Sequence, residues 1–156
     1  MPWLIDGNNL LGLSRERGAK DRASRSRLVH ALAGYARAQR TKVTLVFDGD
    51  PDAGIASSTL HLGGLTVLWA GAGSDADTRI LGLLDRANDP AGYIVVTSDR
   101  SLGDRARHRR ARVVRSHEFR KTLEEMPVAD AADGASLAPD EVADWEDWFG
   151  GKPRGR

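Results

Sequence analysis

The chain has 156 residues, 40% of them hydrophobic, enough for one domain with a core of its own. It contains no cysteine, which excludes disulfides, thiolate metal sites and cysteine nucleophiles and suits a reducing cytoplasm. Net charge is only +1, but residues 127–156 hold seven acids and three bases, leaving 15 acids against 20 bases in the first 126. That imbalance fits a polyanionic partner or an ordinary solvated, arginine-rich surface.

No apolar run approaches the roughly 20 residues of a membrane span, so no membrane partner is expected. The first apolar run begins so near Met1 that no targeting segment is expected ahead of it. That run, Trp3-Leu4-Ile5, ends abruptly in Asp6-Gly7-Asn8-Asn9. It reads as a buried parallel strand, and ligands of open α/β sheets gather just beyond such strand ends. All four following residue types also favour turns, so Asp6 is open to either role; Gly7 and Asn8 are assigned the turn and Asn9 a place beside the site.

Residues 12–20 read as a loop, and a helical pattern starts at Asp21, with Leu28, Val29, Leu32 and Ala36 at three- and four-residue steps. Val43–Phe47 is a second strand ending in Asp48. Residues 49–64 lack periodicity and read as a loop with room for a short edge strand. Leu65–Trp69 is a third strand, followed by a helix from Ser74 to about Asn88. Tyr93–Thr97 is a fourth strand and again meets an acid, in Ser98-Asp99-Arg100. A short basic helix over 101–110, an edge-like strand at Arg112–Arg115 and a last helix capped by Ser116 complete the alternation.

The expected architecture is therefore an α/β domain over residues 1–126 on a mostly parallel, five-stranded sheet. Residues 127–138 read as a linker, and 139–156 as a short helix with a basic tail. Val142, Trp145, Trp148 and Phe149 fall on one side of that helix, which suits a partner- or substrate-stacking segment or a helix folded back on its own domain.

Three strands thus deliver Asp6, Asp48 and Asp99 to one sheet edge, and the helix after a fourth adds Asp75 and Asp77. Crowded carboxylates resist ionising unless a cation neutralises them. Mg²⁺ suits the task, held by one or two carboxylates with waters and substrate phosphates, and such sites run phosphoryl chemistry. Ser74 and Asp77 match a capping-box spacing. Asp77 nevertheless lies in line with Leu81 and Leu84, on the face packed against the sheet, whereas Asp75 sits roughly 160° round the helix. Asp77 is the better ligand candidate, and Asp75 is expected to support it or compensate the helix dipole.

Other motifs fail. Asp48-x-Asp50-x-Asp52 begins like a calcium loop, but Ala53 and Thr59 occupy the turn-glycine and bidentate-glutamate positions. No glycine-rich phosphate loop or dinucleotide fingerprint follows the first strand. His30, His61, His108 and His117 show no zinc spacing, and Ser98 and Ser101 have no evident histidine–acid relay.

Leu4-Ile5-Asp6-Gly7-Asn8-Asn9, Val46-Phe47-Asp48, Ser74-Asp75-Ala76-Asp77-Thr78-Arg79-Ile80 and Val96-Thr97-Ser98-Asp99-Arg100, in that order, resemble the bacterial YacP-like NYN-domain proteins of the PIN-like nuclease superfamily. The likeness covers about residues 1–126, and the segment from Leu137 to Phe149 is also similar. The resemblance implies a three-layer Rossmann-like domain and a divalent-metal-dependent endoribonuclease acting in RNA processing or mRNA decay, in the cytoplasm. By position it makes Asp6, Asp48, Asp77 and Asp99 the catalytic, metal-holding acids, with Mg²⁺ or Mn²⁺ as cofactor, and Asn9 and Ser98 supporting residues.

Unlike toxin-type PIN domains, the helix over 21–40 lacks a glutamate, so Asp48 would supply that acid from a strand end, and the number of metals stays open. Arg100 and Arg105, with Arg107, Arg109 and Arg110, would hold the RNA backbone. Two other readings stand beside this one. One is a non-catalytic RNA- or ribosome-binding module on the same fold. The other is a metal-dependent phosphatase, though not of the aspartyl-phosphate type, because residue 8 is Asn.

Overall fold

Alternation along short strands sets the layers of this protein. The structure, a computed structural model, describes residues 1–12, 19–51 and 59–126, the side chains of 19–23 excepted. The linker and tail helix expected over 127–156, with Val142, Trp145, Trp148 and Phe149, lie outside the described residues, as does Asp52.

Strands β1 (Trp3–Asp6), β2 (Val43–Phe47), β4 (Leu65–Trp69), β5 (Ile94–Val96) and β6 (Arg112–Val114) run parallel, and β3 (Thr59–Leu62) pairs antiparallel with β4. The sheet therefore has six strands, ordered β3-β4-β2-β1-β5-β6, rather than the expected five. The addition is β3. It lies in the stretch expected to have room for a short edge strand and buries one side only: Leu62 is 1% exposed while His61 faces solvent.

Successive side chains point to opposite sheet faces. On one face Ile5, Leu45, Phe47, Val67 and Val96 pack against α2 (Ala19–Ala38), α5 (Ser116–Glu124) and the short α1 (Gly7–Leu11). On the other, Leu4, Val46, Leu68 and Val95 pack against α3 (Ala76–Arg86) and α4 (Arg100–His108). This is the three-layer α/β/α arrangement. A fully buried side chain of this size stabilises by about 1.5–3 kcal/mol relative to exposure, so both faces resist slippage of register. Trp3, Tyr35 and Phe119 join β1, α2 and α5 through ring contacts of 5.1–5.7 Å between centroids. That cluster fixes where α5 begins.

Local boundaries differ from expectation at three places. No turn follows Asp6: β1 passes straight into α1, with Gly7 as its first residue. Helix α3 is capped by Asp75 rather than Ser74, so Asp77 is not the partner in a capping box. Ser116 is the first residue of α5 instead of its cap, a position held by Arg115 without a side-chain bond.

The chain steps outward from β1 to β2 and β4, and then α3 carries it back across the sheet to β5 on the other side of β1. The order reverses between β1 and β5. In open α/β sheets the crevice beyond such a reversal is where ligands bind.

Candidate active site

The same alternation aims the strand-end acids. Leu4 and Val46 face α3 and α4, so Asp6 and Asp48, each two residues on, point to that face as well. There they meet the N-termini of α3 and α4, which carry Asp77 and Asp99. Asp6, Asn8, Asn9, Asp48, Asp75, Asp77 and Asp99 line one open concavity of about 230 Å³.

Four of these acids are pinned by backbone N–H groups at helix starts, where anionic acceptors are favoured. Asp6 Oδ1 accepts from Asn9 N (3.3 Å), Asp75 Oδ1 from Thr78 N (2.8 Å) and Asp99 Oδ1 from Leu102 N (3.1 Å). Asp48 Oδ1 accepts from Ala76 N (2.7 Å), which ties the end of β2 to the start of α3. Capping and lining the concavity are thus compatible roles for one side chain. Asp75, expected to point away, caps α3 and lines the concavity too.

The two asparagines act as staples. Asn8, assigned to a turn, accepts the Asp48 N–H through Oδ1 at 3.0 Å. Asn9 Oδ1 accepts from Ser98 N (2.7 Å) and from the Ser116 hydroxyl (2.6 Å), while Ser98 Oγ accepts from Ser116 N (3.0 Å). One five-residue helix therefore locks β1 to the ends of β2 and β5 and to the start of α5. Ser98 faces out of the acid concavity and supports it through this network. Ser116 was missed as a site residue: it is 107 positions from Asn9 in sequence, and a serine at a helix start reads as a cap.

Electrostatics set these acids apart. Asp6 is 5% exposed, and its carboxyl is pushed up to about 7, first by burial and then by the charges of Asp77, Asp48 and Asp99, against the opposing Asn9 N–H bond. Asp77 is also raised, by burial and then by Asp99, Asp75 and Asp48, with Arg105 pulling the other way. Arg105 is thus near enough to the acids to feel them, and Arg100, exposed at the first position of α4, flanks Asp99.

Such a set of hard oxygen donors suits a hard cation held by one or two carboxylates with water completing its shell. Among the described residues, no three acidic or histidine side chains are drawn into a ready-made metal cage. The fit is to an open, water-rich site rather than a closed structural one.

The comparisons agree with this architecture. The family model for the YacP-like NYN domain matches residues 3–141. Two crystal structures of Rae1 (YacP) from Bacillus subtilis share the fold. One has a TM-score of 0.65 at 20% identity, covering 97% of this chain and 95% of that one. The other, a W164L mutant, has a TM-score of 0.63 at 18% identity, covering 94% and 98%. No curated protein matches the sequence.

Proposed function

This chain belongs to the YacP-like NYN domain family, and from that premise we propose that it is a divalent-metal-dependent endoribonuclease that hydrolyses RNA phosphodiester bonds. One observation carries the reading: four aspartates from four separate segments share one concavity at the strand-order reversal, with Asp6 pushed up to about 7 by its burial and the other three. Mutual repulsion of this kind is held in a folded protein where a cation or a proton relieves it, and such perturbed acids cluster at functional sites.

Asp6, Asp48, Asp77 and Asp99 form the concavity in which one or two carboxylates, with water completing the shell, would hold Mg²⁺ or Mn²⁺. When bound, the cation supplies Lewis acidity toward the phosphodiester and neutralises the acids. The chain's own residues do the rest. Asn8 and Asn9 hold the strand ends so that the acids keep their spacing, and Ser98 with Ser116 completes that brace. Arg100 and Arg105 bind the RNA backbone beside the acids, offsetting their repulsion of a polyanion.

The test incubates single-stranded and structured RNA with Mg²⁺ or Mn²⁺ and compares the native chain with Asp6→Asn and Asp99→Asn. Cleavage is expected to fall at least about a hundredfold in each variant; equal cleavage by all three sinks the catalytic reading. The lack of a preformed cage among the described residues favours one second reading, a non-catalytic RNA- or ribosome-binding module. RNA binding without turnover in the same assay would select it.

A further inference from the structure

Next to the acid concavity, and sharing Asp99 with it, is a second recess of about 220 Å³ between α4 and the end of β6. Arg100 and Arg107 line it from α4, and Arg115 from the junction of β6 and α5. Its other charged residues, Asp99 and Asp104, are both engaged. Asp99 caps α4, and Asp104 lies 3.3 Å from Arg107 Nη1 in an exposed pair worth little in water. Arg100 and Arg115 have no side-chain hydrogen-bond or ion-pair partner among the described residues.

Ser98 also lines the recess. Its oxygen accepts from Ser116 N, which leaves the hydroxyl proton to donate. Gly103 lines it too, and a Cβ there would make only ordinary contacts, 3.6 Å from Val113 Cγ1 and 3.7 Å from Arg107 Nη1. Forked guanidinium donors around a small hydroxyl-bearing hollow suit an oxyanion, phosphate or carboxylate, better than a neutral ligand, and the ribonuclease reading of the adjoining acids selects phosphate.

We propose that this recess seats one phosphate of a single-stranded RNA, the neighbour of the phosphate that lies at the acids. The assignment rests on the ribonuclease reading of the acid site and gives it a second point of attachment. A cation would neutralise the aspartates without giving the strand a long contact, so an adjoining basic wall adds to its hold. Asp99 lines both hollows, so they adjoin and one strand can pass from one to the other.

The test reads binding apart from cleavage. Fluorescence anisotropy follows a labelled single-stranded oligoribonucleotide with Ca²⁺ in place of Mg²⁺ to neutralise the acids, and a gel verifies that the RNA is intact. Arg107→Gln and Arg115→Gln are each expected to weaken binding about tenfold. Each should also flatten the slope of log K against log salt by about 0.7 per lost contact, and Arg115→Lys should restore most of that slope.

A pair of oligonucleotides with 5′-phosphate and 5′-hydroxyl ends separates two sources of the phosphate. Equal affinity marks an internal phosphodiester, whereas a preference for the phosphorylated strand that Arg115→Gln abolishes marks a terminal one. Where both glutamine variants weaken binding, either outcome keeps the recess. Unchanged affinity and slope in both glutamine variants, or no RNA binding by the native chain, overturns it. RNA bound through Arg107 and Arg115 yet never cut with Mg²⁺ or Mn²⁺ would end the nuclease reading and keep the recess. Cleavage that depends on Asp6, with binding indifferent to both arginines, would do the reverse.

Discussion

Asp6 carries the largest electrostatic cost at the site, and that cost grows with pH. Its carboxyl has an ordinary value of 3.8 and is pushed up to about 7 in the folded protein. Below about pH 4 both states hold the proton. Between about 4 and 7 the unfolded chain releases a proton that the folded chain keeps, so stability falls as pH rises. Above 7 both are ionised, and the accumulated cost is on the order of 4 kcal/mol at 1.36 kcal/mol per unit. Asp6→Asn cannot ionise. In urea denaturation without divalent cations, its stability relative to the native chain is expected to climb from pH 4 to 8 by up to that amount. A difference that stays flat across this range would show that Asp6 is not crowded. Asp6, Asp48 and Asp99 are legible in the sequence because each follows an apolar run, and Asp77 because it shares a helix face with Leu81 and Leu84. The partners of Asn8, Asn9 and Ser116 are not, since a side-chain hydrogen bond between distant residues leaves no local pattern.

At the scale of elements, the decisive piece is α1, five residues that hold three strand ends together. Its position depends on Gly7. A Cβ there would stand 2.6 and 2.7 Å from the Phe47 ring and 3.0 Å from Leu45 Cδ1. Phe47 is 1% exposed and packed on Trp69 with centroids 5.5 Å apart, so it cannot yield. Gly7→Ala is expected to destabilise by about 1–3 kcal/mol in urea unfolding, and to reduce activity because α1 carries both asparagines. Stability unchanged from the native chain would show that α1 can lift without cost. The strand–helix alternation was readable because strands and longer helices repeat with different periods. A one-turn helix and a four-residue edge strand are too short to show a period, and so the local pattern reads as a turn at α1 and, at β3, as no more than a loop with room for a short edge strand. The start of α3 was ambiguous for another reason. Ser74 and Asp75 are both good caps, and the choice was made by Asp48, whose carboxylate takes the Ala76 N–H.

Over the whole molecule, the acids act as one unit whose charge opposes folding unless it is neutralised. Any ligand that binds only the folded state stabilises it by mass action, about 2.7 kcal/mol at a hundredfold excess over Kd. For a domain of this size that corresponds to roughly 5–10 °C in Tm. Mg²⁺ at that excess is therefore expected to raise Tm by this amount at pH 8, less at pH 5 where protons compete for Asp6, and less again in Asp6→Asn. Chelation should reverse the gain. Differential scanning fluorimetry checks it, and a rise that ignores both pH and the substitution would place the cation elsewhere. Among the described residues no helix is long and apolar enough to cross a membrane, and the family match runs to residue 141, past the expected domain end at 126.

Taken alone, the sequence determined the α/β class, the parallel strands, the aspartates that end them and the family, because these depend on local periodicity and on motifs in order. Only the tertiary structure decided the sixth strand, the staples made by Asn8, Asn9 and Ser116, the capping of α3 by Asp75, and the arginine-lined recess beside Asp99. Each of these requires side chains remote in sequence to meet, and the packing of both sheet faces brings them together. Asp6 shows the division most plainly. Whether it makes a turn or lines the site is an open choice along the chain; folding places it at the concavity and gives it the N-cap of α1 in place of a turn.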